Sequence, residues 1–204
     1  MDNYYNLRFD YIKDSCKDYV LKMLEKIKNF SLETYTHSID VANKSVILGK
    51  RLKLSKQDLI KLYTAGLMHD VGKIDLDINL LEKPKCTKDE LEQIKLGHIA
   101  GTKKYLEGKI DDDIFKIAYH HHEKLNGTGY PQGLKGEEIS KLDRILQICD
   151  ITSALSMQRS YRPKLEGNTI DKILDNWVNV GELDKFYVDL AEELFINIDN
   201  EKIQ

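Results

Sequence analysis

Pro84, Pro131 and Pro163 are the only prolines in 204 residues. Between them lie long stretches in which apolar residues recur every three or four positions. A chain with so few helix breakers and that period hides its apolar surface by packing helices. Residues 12–30 carry the pattern, with Ile12, Cys16, Tyr19, Val20, Met23, Leu24 and Ile27 along one face. Further helix starts fall at residues that cap free N–H groups. Ser31 opens a helix to about Leu52, Ser55 one to about Gly72, and Thr87 one with an acidic first turn. A fourth helix begins at Asp111, Asp112 and Asp113 and runs to Glu123. A fifth starts at Ser140 and is stopped by Pro163, and residues 168–179 and 182–197 add two more. The expected fold is all-α, a helical bundle over residues 31–200 with a helical extension over residues 1–30. The first helix is expected to dock on its own domain. Pairing with a second copy, as a homodimer, is the competing use of its apolar face.

Charge and cysteine usage narrow the function classes. The 31 basic and 34 acidic residues are well mixed and sum to −3. No basic stripe points to a nucleic acid polymer, and no polybasic run points to a membrane surface. Cys16, Cys86 and Cys149 are too far apart for a disulfide framework or a Cys-x-x-Cys zinc pair. The first residues lack the basic and apolar regions of a signal peptide, and no apolar run reaches the ~20 residues of a membrane span. A cytoplasmic protein is expected.

Histidine is scarce and clustered. Three of the six histidines stand together in "AYHHHEKLNGTGYPQGLKG", directly before a glycine-rich loop. Other candidate ligands are scattered. Glu33 and His37 are four apart on one helix face. His69 and Asp70 follow an apolar run, His98 lies between Gly97 and Gly101, and Asp150 sits in the apolar "ILQICDITSAL". Each has a plain alternative: an exposed Glu–His pair, a packed mid-helix histidine, an aspartate bonded to hydroxyls. Taken together they favour metal, because an aspartate in an apolar helix is costly to bury unless paired or ligated.

The motifs "HDVGK" at 69–73, "HHEKLNGTGYP" at 121–131 and "CDITSALSMQRSYRP" at 149–163 resemble those of the HD-GYP family. This family is a branch of the HD-domain metal-dependent phosphohydrolases whose members cleave cyclic di-GMP. The resemblance implies eight metal ligands, namely Glu33, His37, His69, Asp70, His98, His121, His122 and Asp150, with His120 the spare. It implies two or three divalent transition ions, iron or manganese, with Asp70 bridging two of them and Glu33 serving a third. Imidazole and carboxylate ligands suit such ions. The three carboxylates leave the loaded site positive, which favours an anionic phosphodiester and a hydroxide between the metals. The implied reaction opens cyclic di-GMP to linear pGpG and on to GMP.

Lys73 is expected to hold a phosphate oxygen, its alternative being a solvated lysine. Arg159 and Arg162 are expected to hold the other phosphate or stack on guanine, their alternative being arginines at a helix C-terminus. Gly127, Gly129, Tyr130 and Pro131 form the signature loop beside the substrate. Three positions depart from the family pattern: Ser153 and Asn126 replace aspartates, and Lys124 replaces an arginine. Competing functions are an HD phosphohydrolase acting on another cyclic dinucleotide or nucleotide, and a weakly active protein that binds a cyclic dinucleotide for signalling.

Overall fold

The computed structural model describes residues 6–158 and 162–197. Among them are nine α-helices and no strand; Asn126 and Lys135 form one isolated bridge. The helices are α1 (Lys17–Phe30), α2 (Leu32–Arg51), α3 (Lys56–Met68), α4 (Ile78–Leu81), α5 (Lys88–Leu106), α6 (Asp112–Tyr119), α7 (Lys141–Ser156), α8 (Gly167–Asn179) and α9 (Lys185–Ala191).

The expected caps are in place. Ser31 accepts from the amide of Thr34, Ser55 from Asp58, Thr87 from Glu90 and Ser140 from Asp143. Thr87 and Ser140 form full capping boxes, with Glu90 and Asp143 reaching back. Asp111 opens α6 without a side-chain cap bond, and Asp112 and Asp113 place charge in its first turn.

Two helices form the centre. α2 is buried almost all round between His37 and Val46, and α3 between Leu62 and Met68. They approach so closely that a Cβ on Gly66 would lie 2.8 Å from the Ala42 backbone. α7 packs on α2, α6 on α3, and α8 and α9 on α7. α1 buries Val20, Met23, Leu24 and Ile27 in the same core. It starts at Lys17, five residues later than the apolar period suggests, because residues 9–16 form two short 3-10 turns. The segment before it is tied to α3: the Arg8 amide donates to the Tyr63 hydroxyl at 2.7 Å and the Lys13 amide to Thr64 Oγ1 at 3.1 Å.

Three helices end earlier than expected, each for a tertiary reason. α3 stops at Met68, not Gly72, and a 3-10 turn (Val71–Asp75) follows. There Thr102 Oγ1 donates to the His69 carbonyl at 3.2 Å, replacing the next helical bond. α6 stops at Tyr119, and the His121 ring caps it through Nδ1 on the Ala118 carbonyl at 2.6 Å. α7 stops at Ser156, seven residues before Pro163. The Arg162 guanidinium folds back onto its end, donating to the carbonyls of Ala154 at 2.7 Å and Leu155 at 3.5 Å. α9 passes into a π-turn over Glu192–Ile196. No helix among the described residues is long and apolar enough to cross a membrane.

Candidate metal centre

Five helices deliver side chains to one point. His37 comes from the middle of α2, His69 and Asp70 from the end of α3, and His98 from the middle of α5. His121 and His122 follow α6, and Asp150 lies on the inner face of α7. Glycines set the approach. A Cβ on Gly72 would stand 2.0 Å from the His98 carbonyl, and one on Gly101 would stand 2.6 Å from the Gly72 carbonyl. The turn after His69 therefore lies flat against α5, bringing His98 Nε2 within 3.1 Å of the His69 carbonyl. At Gly101 the close neighbour of α5 is the 3-10 turn that carries Gly72.

The donor atoms form three overlapping groups: His37, His69 and Asp70; His69, His121 and Asp150; His98, His121 and His122. In each, the ligand atoms lie within 4.8 Å of one another. Asp70 is central. One carboxylate oxygen lies 3.2 Å from His98 Nε2, and the other lies 3.5 Å from His69 Nε2 and 3.8 Å from His37 Nε2. Asp150 Oδ1 lies 2.9 Å from His37 Nε2 and 3.6 Å from His69 Nε2. Lys73 Nζ donates to Asp70 Oδ2 at 2.6 Å.

The residues fit a metal centre. His69 Nε2 and His121 Nε2 are buried without a hydrogen-bond partner, while the Nδ1 of each sits on a backbone carbonyl. That bond fixes the tautomer, leaving the Nε2 lone pair aimed into the cluster, as a ligating histidine requires. Imidazoles and carboxylates with no thiolate suit iron, manganese, zinc or cobalt.

The electrostatics of His98, His121 and His122 agree with this use. Burial and neighbouring histidines and Lys73 push His98 down to about 4 and His122 to about 3 despite the nearby carboxylates, and push His121 well below the usual histidine range. These rings are neutral at neutral pH, the form a metal ligand requires. Burial alone would lower His69, but Asp70 and Asp150 outweigh it and raise it. Burial alone would raise both aspartates. Lys73 and the histidines around Asp70, and His37 and His69 around Asp150, overcome it and hold both well below the carboxylate range.

The other expected site residues fall in different places. Glu33 is one turn before His37 but belongs to none of the three groups; with Lys73 it lines a cavity of about 320 Å³. His120 points away from the centre, its Nδ1 3.7 Å from Asp143 Oδ2. Arg162 is engaged at the end of α7, the helix-end role weighed above. Arg159 lies outside the described residues. Tyr130 packs on His122 with ring centroids 4.7 Å apart, and its amide donates to the His122 carbonyl at 3.1 Å. Gly127 has φ +79, and a Cβ on Gly129 would stand 2.3 Å from the Lys124 amide, so both positions need glycine.

Matched to the described HD-domain model over residues 19–176, the sequence carries the family pattern through most of its length. The chain belongs to the HD-domain family. Its motifs and relatives place it in the HD-GYP branch. It is 39% identical over 144 residues to a protein named 3'3'-cGAMP-specific phosphodiesterase 3 of Vibrio cholerae serotype O1, covering 69% of this chain and 30% of that one. It is 33% identical over 144 residues to a protein of Pseudomonas aeruginosa named a cyclic di-GMP phosphodiesterase, covering 70% and 35%. This HD domain thus spans about a third of these relatives' length. Among solved structures it resembles an HDG"Y"P protein from Bdellovibrio bacteriovorus, with TM-score 0.68, 20% identity and coverage of 91% and 63%. It also resembles the HD domain of L. monocytogenes phosphodiesterase PgpH in complex with cyclic-di-AMP, with TM-score 0.62, 16% identity and coverage of 90% and 97%. At such identity these two speak for the fold.

Three supporting residues of the HD domain escaped sequence reasoning. Glu123 is fully buried, and its two oxygens accept the amides of Gln132 at 2.6 Å and Leu134 at 2.9 Å. It pins the signature loop to the residue after His122. Thr102 holds the His69 carbonyl. Ser153, read from sequence as a lost carboxylate, lies with its hydroxyl 2.9 Å from His37 Nδ1. A hydroxyl next to Met157 Sδ, at 3.4 Å, can accept from that ring and donate onward. The one signal available for Ser153 was its spacing of three from Asp150, which puts both on one helix face.

Proposed function

We propose that this HD domain is a metal-dependent phosphodiesterase that hydrolyses cyclic di-GMP to linear pGpG and GMP. The observation that carries it is the convergence of four buried histidines, the half-buried His122 and two aspartates, with two imidazole nitrogens left without a partner. His37, His69, Asp70, His98, His121, His122 and Asp150 would hold two ions, with Asp70 shared between them. Glu33 would serve a third from the adjoining cavity. When bound, iron or manganese supplies a Lewis acid and an activated water.

The chain's own residues then have separable tasks. The Nδ1 bonds of His69 and His121 hold each ring in the tautomer that presents Nε2. Lys73, part-exposed at the edge of the cluster, holds a non-bridging phosphate oxygen and offsets its charge. Gly129, Tyr130 and Pro131 close one side of the site, and Glu123 keeps them there. The relatives named for cyclic di-GMP and for 3'3'-cGAMP support a cyclic dinucleotide as substrate class.

The test is chromatography of products after metal-loaded protein is incubated with cyclic di-GMP under reducing conditions. Linear pGpG is expected, with its formation abolished in Asp70→Ala. Binding without any linear product would overturn the reading in favour of a binding protein.

A further inference from the structure

A cavity of about 240 Å³ opens beside the metal centre. His122 and Asp150 form its inner wall, and Ile151, Leu155 and Trp177 its apolar sides. Tyr130 borders it, as do Lys124 and Glu182. Its volume falls below the ~300–1,000 Å³ of a pocket for a whole small ligand, so it suits one ring system of a larger molecule.

The polar side of this cavity is built. The turn after α8 folds back at Gly181, φ +73, and the Glu182 amide donates to the Trp177 carbonyl at 2.8 Å. The Leu125 amide donates to the Glu182 carbonyl at 3.0 Å, tying this turn to the signature loop. Lys124 Nζ donates to Glu182 Oε2 at 2.6 Å, and the Glu182 side chain is only 18% exposed. The ammonium keeps further N–H donors and the carboxylate keeps its second oxygen.

We infer that this cavity is a nucleobase subsite and that the Lys124–Glu182 pair makes it prefer guanine to adenine. The inference rests on the function proposed above and specifies one half of its substrate. Trp177 lines the cavity with an indole, on which any base can stack. Selection falls to the edge of the base. Guanine presents an acceptor, O6, beside two donors, N1–H and the N2 amino group, and so matches a lysine beside a carboxylate. Adenine presents one donor beside one acceptor, and leaves the carboxylate one hydrogen bond short.

Trp177 is the chain's only tryptophan, so its emission reports on this cavity alone. Metal-loaded protein is titrated with GMP and with AMP, which share ribose and phosphate and differ in the base. GMP should quench Trp177 at a concentration roughly tenfold or more below AMP, the effect of one hydrogen bond to a charged group. Glu182→Gln should bring the two within about threefold, because an amide presents one acceptor and one donor. Equal quenching by the two nucleotides, or none by either, would overturn the inference, and the wild-type comparison needs no variant to fold. The product assay remains independent of this result. Linear pGpG formed while Trp177 ignores both nucleotides keeps the proposed function and rejects the guanine subsite. Selective quenching by GMP without hydrolysis supports the subsite and rejects the phosphodiesterase.

Discussion

Gly101→Ala sets two physical effects against each other. In the middle of α5, alanine is the better helix former by about 1 kcal/mol. The new Cβ, however, would stand 2.6 Å from the Gly72 carbonyl and 2.7 Å from its Cα, where ordinary contact begins at 3.4 Å. The obstacle is backbone on a turn pinned by Thr102, so it cannot step aside as a side chain would. Overpacking of this kind costs about 1–3 kcal/mol. The net expectation is a loss of about 1 kcal/mol, read as a lower urea midpoint. The larger effect should appear at the centre, because moving α5 outward carries His98 away from Asp70, which now lie 3.2 Å apart. Metal retention against a chelator should fall by about 10–100-fold, the usual effect of disturbing a ligand's support. Gly97→Ala is the control one turn earlier. There the Cβ would meet Leu76 Cδ2 at 2.5 Å, the movable tip of a side chain. That variant should be neutral or stabilised by up to about 1 kcal/mol and should keep its metal. If Gly101→Ala matched Gly97→Ala in both measurements, the close turn–helix contact would not be what positions His98.

Other consequences can be checked separately. His120→Ala should keep its metal by elemental analysis and His121→Ala should lose it; the opposite result would shift the ligand register by one. Glu123→Gln gives one of two buried amides a donor to face, at about 1–3 kcal/mol, so hydrogen exchange at Gln132 and Leu134 should quicken, and unchanged exchange would reject the clamp. Ser153→Ala removes the partner of His37 Nδ1 and should weaken metal binding by about tenfold in a chelator competition, whereas unchanged affinity would make Ser153 mere packing. Burial, then Asp171, Asp175 and Asp189, push Glu192 up from its ordinary 4.5 to about 7. The folded chain thus holds a proton that the unfolded chain releases, so stability is full below pH 4.5 and falls as pH rises through 7. Glu192→Gln should flatten that slope and gain at most about 1 kcal/mol at pH 8 in urea titrations, a figure reduced for solvent screening; an unaltered slope would assign the titration elsewhere.

Much of the fold could be read from the chain because its helix starts are local events. Ser31, Ser55, Thr87 and Ser140 cap helices with their own side chains, and nothing distant is needed to recognise them. Helix ends proved harder, because distant residues decide them. Thr102 takes the carbonyl that would have continued α3, and Arg162 takes those at the end of α7. The centre was legible for a different reason. Aspartates in apolar segments and crowded histidines are costly unless they meet, which favoured metal, and the resemblance to the HD-GYP motifs implied which of them would meet. What surrounds them was not legible in that way. Ser153 looked like a deletion of charge, yet its hydroxyl stands on His37. Glu123 looked like part of a motif, and its buried clamp on two loop amides became visible only with the loop in place.

His37 and Asp150 touch at 2.9 Å although 113 residues separate them. In the unfolded chain that contact is a loop closure of great length. A covalent bridge closing a loop of ~100 residues restricts the unfolded ensemble by about 4.7 kcal/mol in the chain-entropy picture. An ion gripped by α2 and α7, and by α3 between them, ties the same knot without a covalent bond. Its affinity is then partly a folding energy. Loading and unloading should register as a rise and fall in the melting temperature of the entire bundle, so a loaded centre would staple the domain together.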